Sequence, residues 1–569
     1  MPKLARLDQR FVWHPFTQMR DWLKREPIVI VSGKGAVLRD VRGREYLDAN
    51  SSIWTNLHGH AHPKINAAIQ RQLRKIAHSS ALGLANEPAT LLAERLVKLA
   101  NPTIRDLRST MDAATARGAR QSAIANPKLA RVFFSDDGST AMEVALKLAY
   151  EFARRTGRSR QPRFLSLQGA YHGDTVGAVS LGHIDLFHKA YAGLLFKSDN
   201  VMSPYCYRCP FNRAKPERAD ARAYRRCNWE CVDQVEQRFA RRKKRNDPYT
   251  AMVVEPLMQG AAGMIPQPPG WLRRVAEMVR GNGAQLIADE VMTGFGRTGV
   301  AEGASERLAS SSLRHPDSPP CVERGRGIDA RPLTPALSPS DGERVPAGRV
   351  RGISSGSVQL HAAGILSLPG KSAHRPRSHE RGHAASLFAC HREGVQPDFL
   401  ALAKGLTGGY LPMAATLTTP AVFDAFLGEY EDFKTFFHGH SYTGNQLGAA
   451  AALASLDLLQ APASLRQRQR LEQTLREQLQ TLWELPNVGD IRQVGLIAGV
   501  ELVRDWRTRE PFDLRERAGI RVCEAMARRG VLTRPVGNVI VLIPPYCTTP
   551  GQVGEMVHAL HAAVREVLG

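Results

Sequence analysis

Two short apolar runs, each closed by one reactive side chain and a turn of small residues, constrain this chain more than any other feature. They are QLIADEVMTGFGRTG, residues 285–299, and FLALAKGLTGG, residues 399–409. In the first, Leu286-Ile287-Ala288 is apolar without alternation and then meets the carboxylates Asp289 and Glu290. A run with no polar face fits a strand covered on both sides, as in a parallel sheet sandwiched by helices. Open α/β sheets bind ligands at the carboxyl ends of their strands, which is where Asp289 would stand. The second run ends in a single lysine, Lys404, inside a Gly/Thr loop. Two such strands would bring an acid and an amine to one sheet edge.

The same pattern recurs upstream. In RVFFSDDGSTAMEVALKLAYEFARR, residues 131–155, the β-run Val132-Phe133-Phe134 meets Asp136-Asp137-Gly138-Ser139-Thr140 and then a long amphipathic helix. A strand, a Gly-Ser-Thr turn and a helix N-terminus make an anion site, because free backbone N–H groups and the helix dipole face the ligand. The turn lacks the lysine and spacing of a nucleotide P-loop, so a lone phosphate fits better. The plainer reading is helix capping by Ser139 or Thr140. RFLSLQGAYHGDTVGAVSL, residues 163–181, gives a strand and a Gly-rich loop with Tyr171, His172 and Asp174. Tyr171 could stack on a planar ring or simply fill core. AMVVEPLMQGAAG, residues 251–263, is a strand ending in Glu255-Pro256, followed by a helix near 270–280.

The rest of the chain frames these units. Val37 to Leu47, broken by Arg42-Gly43-Arg44, reads as a β-hairpin, and helical spacing of apolar residues runs over 63–77 and 88–99. Residues 101–128 form a polar, Ala/Arg-rich connection. Trp54, in a polar Gly-containing stretch, suits either core or a pocket wall. After Lys404 come a strand over Met413 to Leu417 and a helix near 420–427. FFHGHSYTGNQLGAAAALASLDLL, residues 436–459, is a further phosphate-suited loop before a helix. A charged helix over 464–483 and a βαβ-like tail close the chain, with Arg534 at a strand end able to receive a carboxylate.

Composition sorts the remaining possibilities. With 569 residues, 43% hydrophobic and 23% charged, the chain has the balance of a globular protein with two or three domains. No apolar run is long enough to span a bilayer and the N-terminus lacks a signal-like apolar region, so the expectation is a cytoplasmic protein with no membrane partner. A net charge of +23 concentrates partly in 205–246, with 13 Lys/Arg against 5 Asp/Glu. No aromatic platform accompanies it, so a solvated helix face is expected and no nucleic-acid partner. Cys206, Cys209, Cys227 and Cys231 form CxxC–x17–CxxxC, near the spacing of a structural four-cysteine zinc site, with a second pair one residue wider than the commonest form. Residues 301–386 hold no Phe, Tyr or Trp, nine prolines and 12 Lys/Arg, and cannot bury enough surface to offset their ordering entropy. Read as a disordered insertion and removed, they shorten the 115 positions between Asp289 and Lys404 to 29.

An acid and a lysine at adjacent strand ends suit pyridoxal phosphate chemistry, in which the acid keeps the pyridine nitrogen protonated and the lysine holds the aldehyde as a Schiff base. The motifs HPFTQM, SSIWTNLHGH, FFSDDGSTAMEVALK, YHGDT, VVEP, ADEVMTGFGRTG, ALAKGLTGGYLPMAATL, HGHSYTGN and RPVGNVIVLIPPY occur in this order. With them the chain resembles the class III aminotransferases, pyridoxal-phosphate enzymes of fold type I. The resemblance implies a large domain with a mostly parallel seven-stranded sheet and a smaller α/β C-terminal domain. The expected divisions are an N-terminal segment 1–60 packing with the small domain, a large domain 61–455 and a small domain 456–569. It implies Lys404, Asp289 and Tyr171 as catalytic residues, with Gly138, Ser139, His440 and Ser441 holding the phosphate, the last two across a homodimer interface. Phe16, Ile53, Trp54, Tyr171, Arg297, Gly439 and Arg534 would shape the pocket for small-molecule substrates. Phe16 stands where some members carry tyrosine, and Ile53 where some carry a second tryptophan. Both leave the amino donor open between S-adenosylmethionine and lysine.

Overall fold

In the computed structural model, which describes residues 1–102, 127–299 and 387–569, the apolar runs assemble side by side. Arg131–Ser135 (β1), Phe164–Leu167 (β2), Asp199–Val201 (β3), Ala251–Val254 (β4), Gln285–Asp289 (β5), Phe399–Leu402 (β6) and Ala414–Thr418 (β7) make one sheet in the order β1-β7-β6-β5-β4-β2-β3. Pairing is parallel from β6 to β3, and β7 runs antiparallel to both its neighbours. This is the mostly parallel seven-stranded α/β sheet that the sequence led us to expect. Every residue of β2, β4, β5, β6 and β7 is buried, which explains why these strands read as unbroken apolar runs.

Helices supply the covering layers. Gly138–Arg155 buries Ala141, Val144, Ala145 and Leu148 in one core with Phe164, Val253, Ile287 and Phe399. Trp271–Gly281 buries Trp271, Leu272, Val275 and Val279 in another with Leu286, Ala288 and Leu400. The residue that starts the first helix is neither Ser139 nor Thr140. Asp137 caps it, its Oδ1 accepting the Thr140 N–H while Thr140 Oγ1 accepts the Asp137 N–H, both at 2.9 Å. Ser139 is thereby left over for another task.

The chain ends meet in a second sheet. Ile30–Lys34, Val37–Asp40 and Glu45–Asp48 form an antiparallel meander whose tight turn uses Gly43 at φ +82°. Val531–Leu532 pairs in parallel with Glu45–Asp48 at its edge. The tail departs from the βαβ-like reading: Ile497–Asp505 pairs antiparallel with both Val488–Val494 and Val539–Leu542. After the helix Ala518–Arg528 the chain first visits the N-terminal sheet, then reverses at Gly537 (φ +59°) and returns in the opposite direction.

The expected insertion 301–386 and nearly all of the connection 101–128 lie outside the described residues. The segments flanking the former are stitched together. The Gly296 N–H donates to the Leu387 carbonyl at 2.9 Å, and the buried Glu290 carboxylate accepts the N–H groups of Ala389 and Cys390 at 2.6 and 2.7 Å. Among the described residues no helix is long and apolar enough to cross a membrane.

Candidate active site

Register fixes what stands at the carboxyl edge of the sheet. Ala288 of β5 pairs with Val254 of β4, so Glu255 follows one strand as Asp289 ends the other, and Asp289 itself pairs with Ala401 of β6, three residues before Lys404. A cavity of about 440 Å³ opens there, and Gly138, Ser139, Tyr171, His172, Glu255, Asp289 and Lys404 all line it. The structure therefore brings together five residues expected at the site, contributed by the ends of four strands.

Charge inside the cavity is concentrated and dry. His172 Nδ1 lies 2.7 Å from Asp289 Oδ2, both side chains being buried. Lys404 is half-buried, with its amine turned into the cavity it lines. Desolvation pushes its ammonium pKa below the usual lysine value, while the nearby Asp289 and Glu255 pull it back up. Glu255 is pushed up to about 7, chiefly by burial. The Lys404 Nζ sits 5.1 Å from the centre of the Trp54 ring, and its backbone has φ +25°, a strained value for a side-chain-bearing residue.

The phosphate-suited turn is built for close approach. Ser139 Oγ accepts the Asp174 N–H at 3.1 Å, which leaves its own proton to donate. A Cβ on Gly173 would meet Ser139 Oγ at 2.2 Å, and one on Gly138 would meet Val291 at 2.7 Å, so glycine at both positions keeps these elements in contact. Tyr171 donates its hydroxyl to Asp174 at 2.7 Å, holding its ring at the cavity wall.

Trp54 reaches the cavity by an unusual turn. Ser51, Ser52, Ile53 and Trp54 follow one another at φ +52°, +49°, +63° and +68°, a left-handed turn costing ~1–2 kcal/mol per residue. It is held by Ser51 Oγ donating to the Ile543 carbonyl at 2.6 Å and by Asp48 accepting the Ser52 N–H and hydroxyl at 2.9 and 2.8 Å. Trp54 lines the cavity; Ile53 is exposed and does not.

Other expected residues lie elsewhere. Phe16 and Arg534 line a second, wider cavity of about 1260 Å³ between the N-terminal segment and the helix Ala518–Arg528, where Arg534 donates to the Phe16 carbonyl at 3.1 Å. Gly439, His440 and Ser441 do not line the Lys404 cavity of this chain; His440 faces Asp136 at 3.3 Å. Arg297 does not line the Lys404 cavity: it is fully buried, donates to the Pro544 and Asn56 carbonyls at 2.9 and 3.0 Å, and stacks over Tyr546. Its Nη1 and Nη2 are occupied with backbone, while its Nε has no partner among the described residues.

The four cysteines of the zinc candidate stand close enough to feel one another's charge, with Cys206 and Cys231 buried and their thiols pushed up to about 12, chiefly by burial. Cys227 Sγ receives Arg225 Nη1 at 3.1 Å, and among the described residues no group of three or more His, Cys, Asp or Glu is arranged to hold a metal ion.

These residues fit pyridoxal 5'-phosphate. An acid and a lysine face one cavity, hydroxyl and backbone donors stand at a helix start, and an aromatic ring forms a wall. His172 Nε2 and Thr293 Oγ1, both at the cavity and buried, have no partner among the described residues. Asp289 would hold the pyridine nitrogen, Lys404 the aldehyde, Gly138 and Ser139 the phosphate, and Tyr171 the ring. Sequence reasoning missed the pairing of His172 with Asp289 and the placement of Glu255. The signals were present, in YHGD and VVEP, but only strand order shows that they converge.

The comparisons agree with the geometry. The class-III aminotransferase family model matches residues 19–305 and 381–564. The adenosylmethionine-8-amino-7-oxononanoate aminotransferase of Geobacter sulfurreducens is 40% identical over 99% of this chain and 97% of its own length. The enzyme of the same name from Aquifex aeolicus is 36% identical over 99% and 97%. The crystal structure of the Methanocaldococcus jannaschii enzyme of that name superimposes with a TM-score of 0.72 at 32% identity, covering 99% of both chains. An amine transaminase from an uncultivated Pseudomonas species, solved in a PLP-bound form, gives 0.71 at 29% identity over 98% and 99%.

Proposed function

Because this chain belongs to the class III aminotransferases, pyridoxal-phosphate enzymes acting on small molecules, we propose that it aminates 8-amino-7-oxononanoate to 7,8-diaminononanoate in biotin synthesis, with S-adenosylmethionine as amino donor. The observation that carries this reading is the convergence of Asp289 and Lys404 on one cavity beside the Gly138-Ser139 turn.

Pyridoxal phosphate supplies an electron-accepting ring and an aldehyde that condenses with amines. Asp289, held by His172, presents its carboxyl group to the cavity. Gly138 and Ser139 bind the phosphate and fix its orientation. Lys404 moves the substrate's proton: burial biases its amine towards the neutral form, the form able to take one. Trp54 closes the cavity on the substrate side, and Phe16 and Arg534 receive the far end of the substrate, Arg534 as the carboxylate partner.

The active form is a cytoplasmic homodimer. Tyr430 and Phe437 are 86% and 72% exposed, and with the exposed Phe433 and Tyr442 they flank the segment that carries His440 and Ser441; Leu82 and Leu84, 90% and 63% exposed, follow His78, whose Nε2 lies 2.8 Å from the Ser441 carbonyl. Covering that apolar surface with a second copy brings His440 and Ser441 to the partner's phosphate site.

A second reading, amino transfer from an ω-amino acid or diamine to a keto acid, is favoured by the likeness to the amine transaminase. One experiment separates them. The purified chain is examined for the visible absorbance of bound cofactor, then assayed for 7,8-diaminononanoate with S-adenosylmethionine or lysine as donor. Cofactor absorbance with product from S-adenosylmethionine supports the proposal. Absorbance with transfer only to keto acids supports the second reading, and no absorbance overturns both. The stitched flanks at Gly296–Leu387 and at Glu290 support an intact site rather than an inactive copy.

A further inference from the structure

Glu255 is used by none of the roles above, although it is buried and lines the cavity. It leaves β4 in step with Asp289 on β5. On the other side of β4 lies β2, paired through Leu165 and Met252, so the turn leaving β2 passes over the end of β4. There one carboxylate oxygen of Glu255 accepts the Tyr171 N–H at 3.5 Å and the other accepts the Gly260 N–H at 2.8 Å. Gln267 secures the same loop, donating Nε2 to the Glu255 carbonyl and accepting the Leu257 N–H, both at 2.9 Å.

We propose that Glu255 is a positioning residue of this site: it pins the turn that presents Tyr171 and His172, and it is the second acid, after Asp289, whose charge faces Lys404. The proposal rests on the pyridoxal-phosphate reading above. Two properties follow from its surroundings. The groups facing it are Tyr171 and His172 from the turn after β2, Asp289 from β5 and Lys404 from the loop after β6. Of these, His172 and Lys404 are the groups whose positive charge an ionised Glu255 stabilises, so losing that negative charge favours the neutral amine at Lys404. Burial brings the carboxyl close to neutrality, which lets the charge beside Lys404 change within the working pH range. Loss of its two N–H contacts also frees the turn carrying Tyr171 and His172, which form the wall and the Asp289 contact.

The test uses the full-length holoenzyme and the variants Glu255→Gln and Glu255→Leu, read by pH titration of the bound cofactor's visible absorbance and by the Kd for pyridoxal phosphate. Glu255→Gln removes the charge and keeps an acceptor; its absorbance midpoint is expected to fall by about half a unit or more, with little change in Kd. Glu255→Leu removes both acceptors and is expected to show the lower midpoint together with roughly tenfold weaker cofactor binding. An unchanged midpoint in Glu255→Gln overturns the assignment, and that variant decides alone if Glu255→Leu does not fold. A wild-type chain that takes up no pyridoxal phosphate overturns the functional reading itself, a result distinct from a wild-type spectrum that Glu255→Gln leaves unmoved.

Discussion

His172 reaches across the end of β4 to Asp289, Nδ1 to Oδ2 at 2.7 Å, with both side chains closed off from solvent. The two residues leave strands that are not neighbours, since β4 lies between β2 and β5. The imidazole therefore fixes the acid in one orientation and couples two otherwise separate turns. A hydrogen bond to a charged group contributes ~1.5–3 kcal/mol. His172→Phe is expected to weaken pyridoxal phosphate binding by about tenfold or more, since 1.4 kcal/mol is one factor of ten. Titrating apo protein with the cofactor and following its absorbance gives the Kd; an unchanged value would remove His172 from the site.

Lys404 is the amine at the cavity, with Asp289 and Glu255 as its charged neighbours. Lys404→Ala is expected to lose the visible band of lysine-bound cofactor and to cut turnover by ~10³-fold or more, as positioned proton transfer alone contributes ~10²–10⁴-fold. Spectra and steady-state rates measure the two losses separately. A variant with normal absorbance and turnover would show that another amine does this work.

Most of the scaffold was legible because its strands are buried on both faces. β4, β6 and the Leu286-Ile287-Ala288 run of β5 had to be apolar, and the next polar residue along each, Glu255, Lys404 or Asp289, marked the sheet edge. What stayed hidden depends on distant chain. Ser51 to Trp54 carry no local preference for positive φ, and their turn is held by Asp48 and by the Ile543 carbonyl. Ser139 looked like a helix cap until Asp137 proved to be one. The tail's alternation of strand and helix suggested parallel pairing, but the reversal at Gly537 leaves no periodicity to read.

Arg297 was expected to shape the pocket only because the resemblance to the class III aminotransferases implies it. Its guanidinium instead ties the Asn56 and Pro544 carbonyls together, bracing the loop after Trp54 against the C-terminal segment. Arg297→Met leaves two buried acceptors unpaired, at ~1–3 kcal/mol each. The expected result is a melting temperature lower by several degrees with nearly unchanged KM for both substrates. Thermal unfolding and steady-state kinetics on one preparation check it. A large KM increase with normal melting would return Arg297 to the substrate pocket.

His58 sets a pH dependence of stability. Burial, reinforced by His62, Arg468 and Arg297, pushes its pKa down to about 3, and its Nε2 lies 3.0 Å from Ser455 Oγ. The unfolded chain binds a proton near pH 6.5 that the folded chain refuses until about 3, so stability from the neutral ring is complete above 6.5 and falls as pH drops through this window. Between pH 6.5 and 4 the loss approaches ~3 kcal/mol at 1.36 kcal/mol per unit. His58→Asn cannot titrate there. It is expected to be less stable than wild type at pH 7 and to close most of that gap by pH 4, as measured by denaturant unfolding across the range. Curves that stay parallel from pH 7 to pH 4 would mean that the buried ring is not the group responsible.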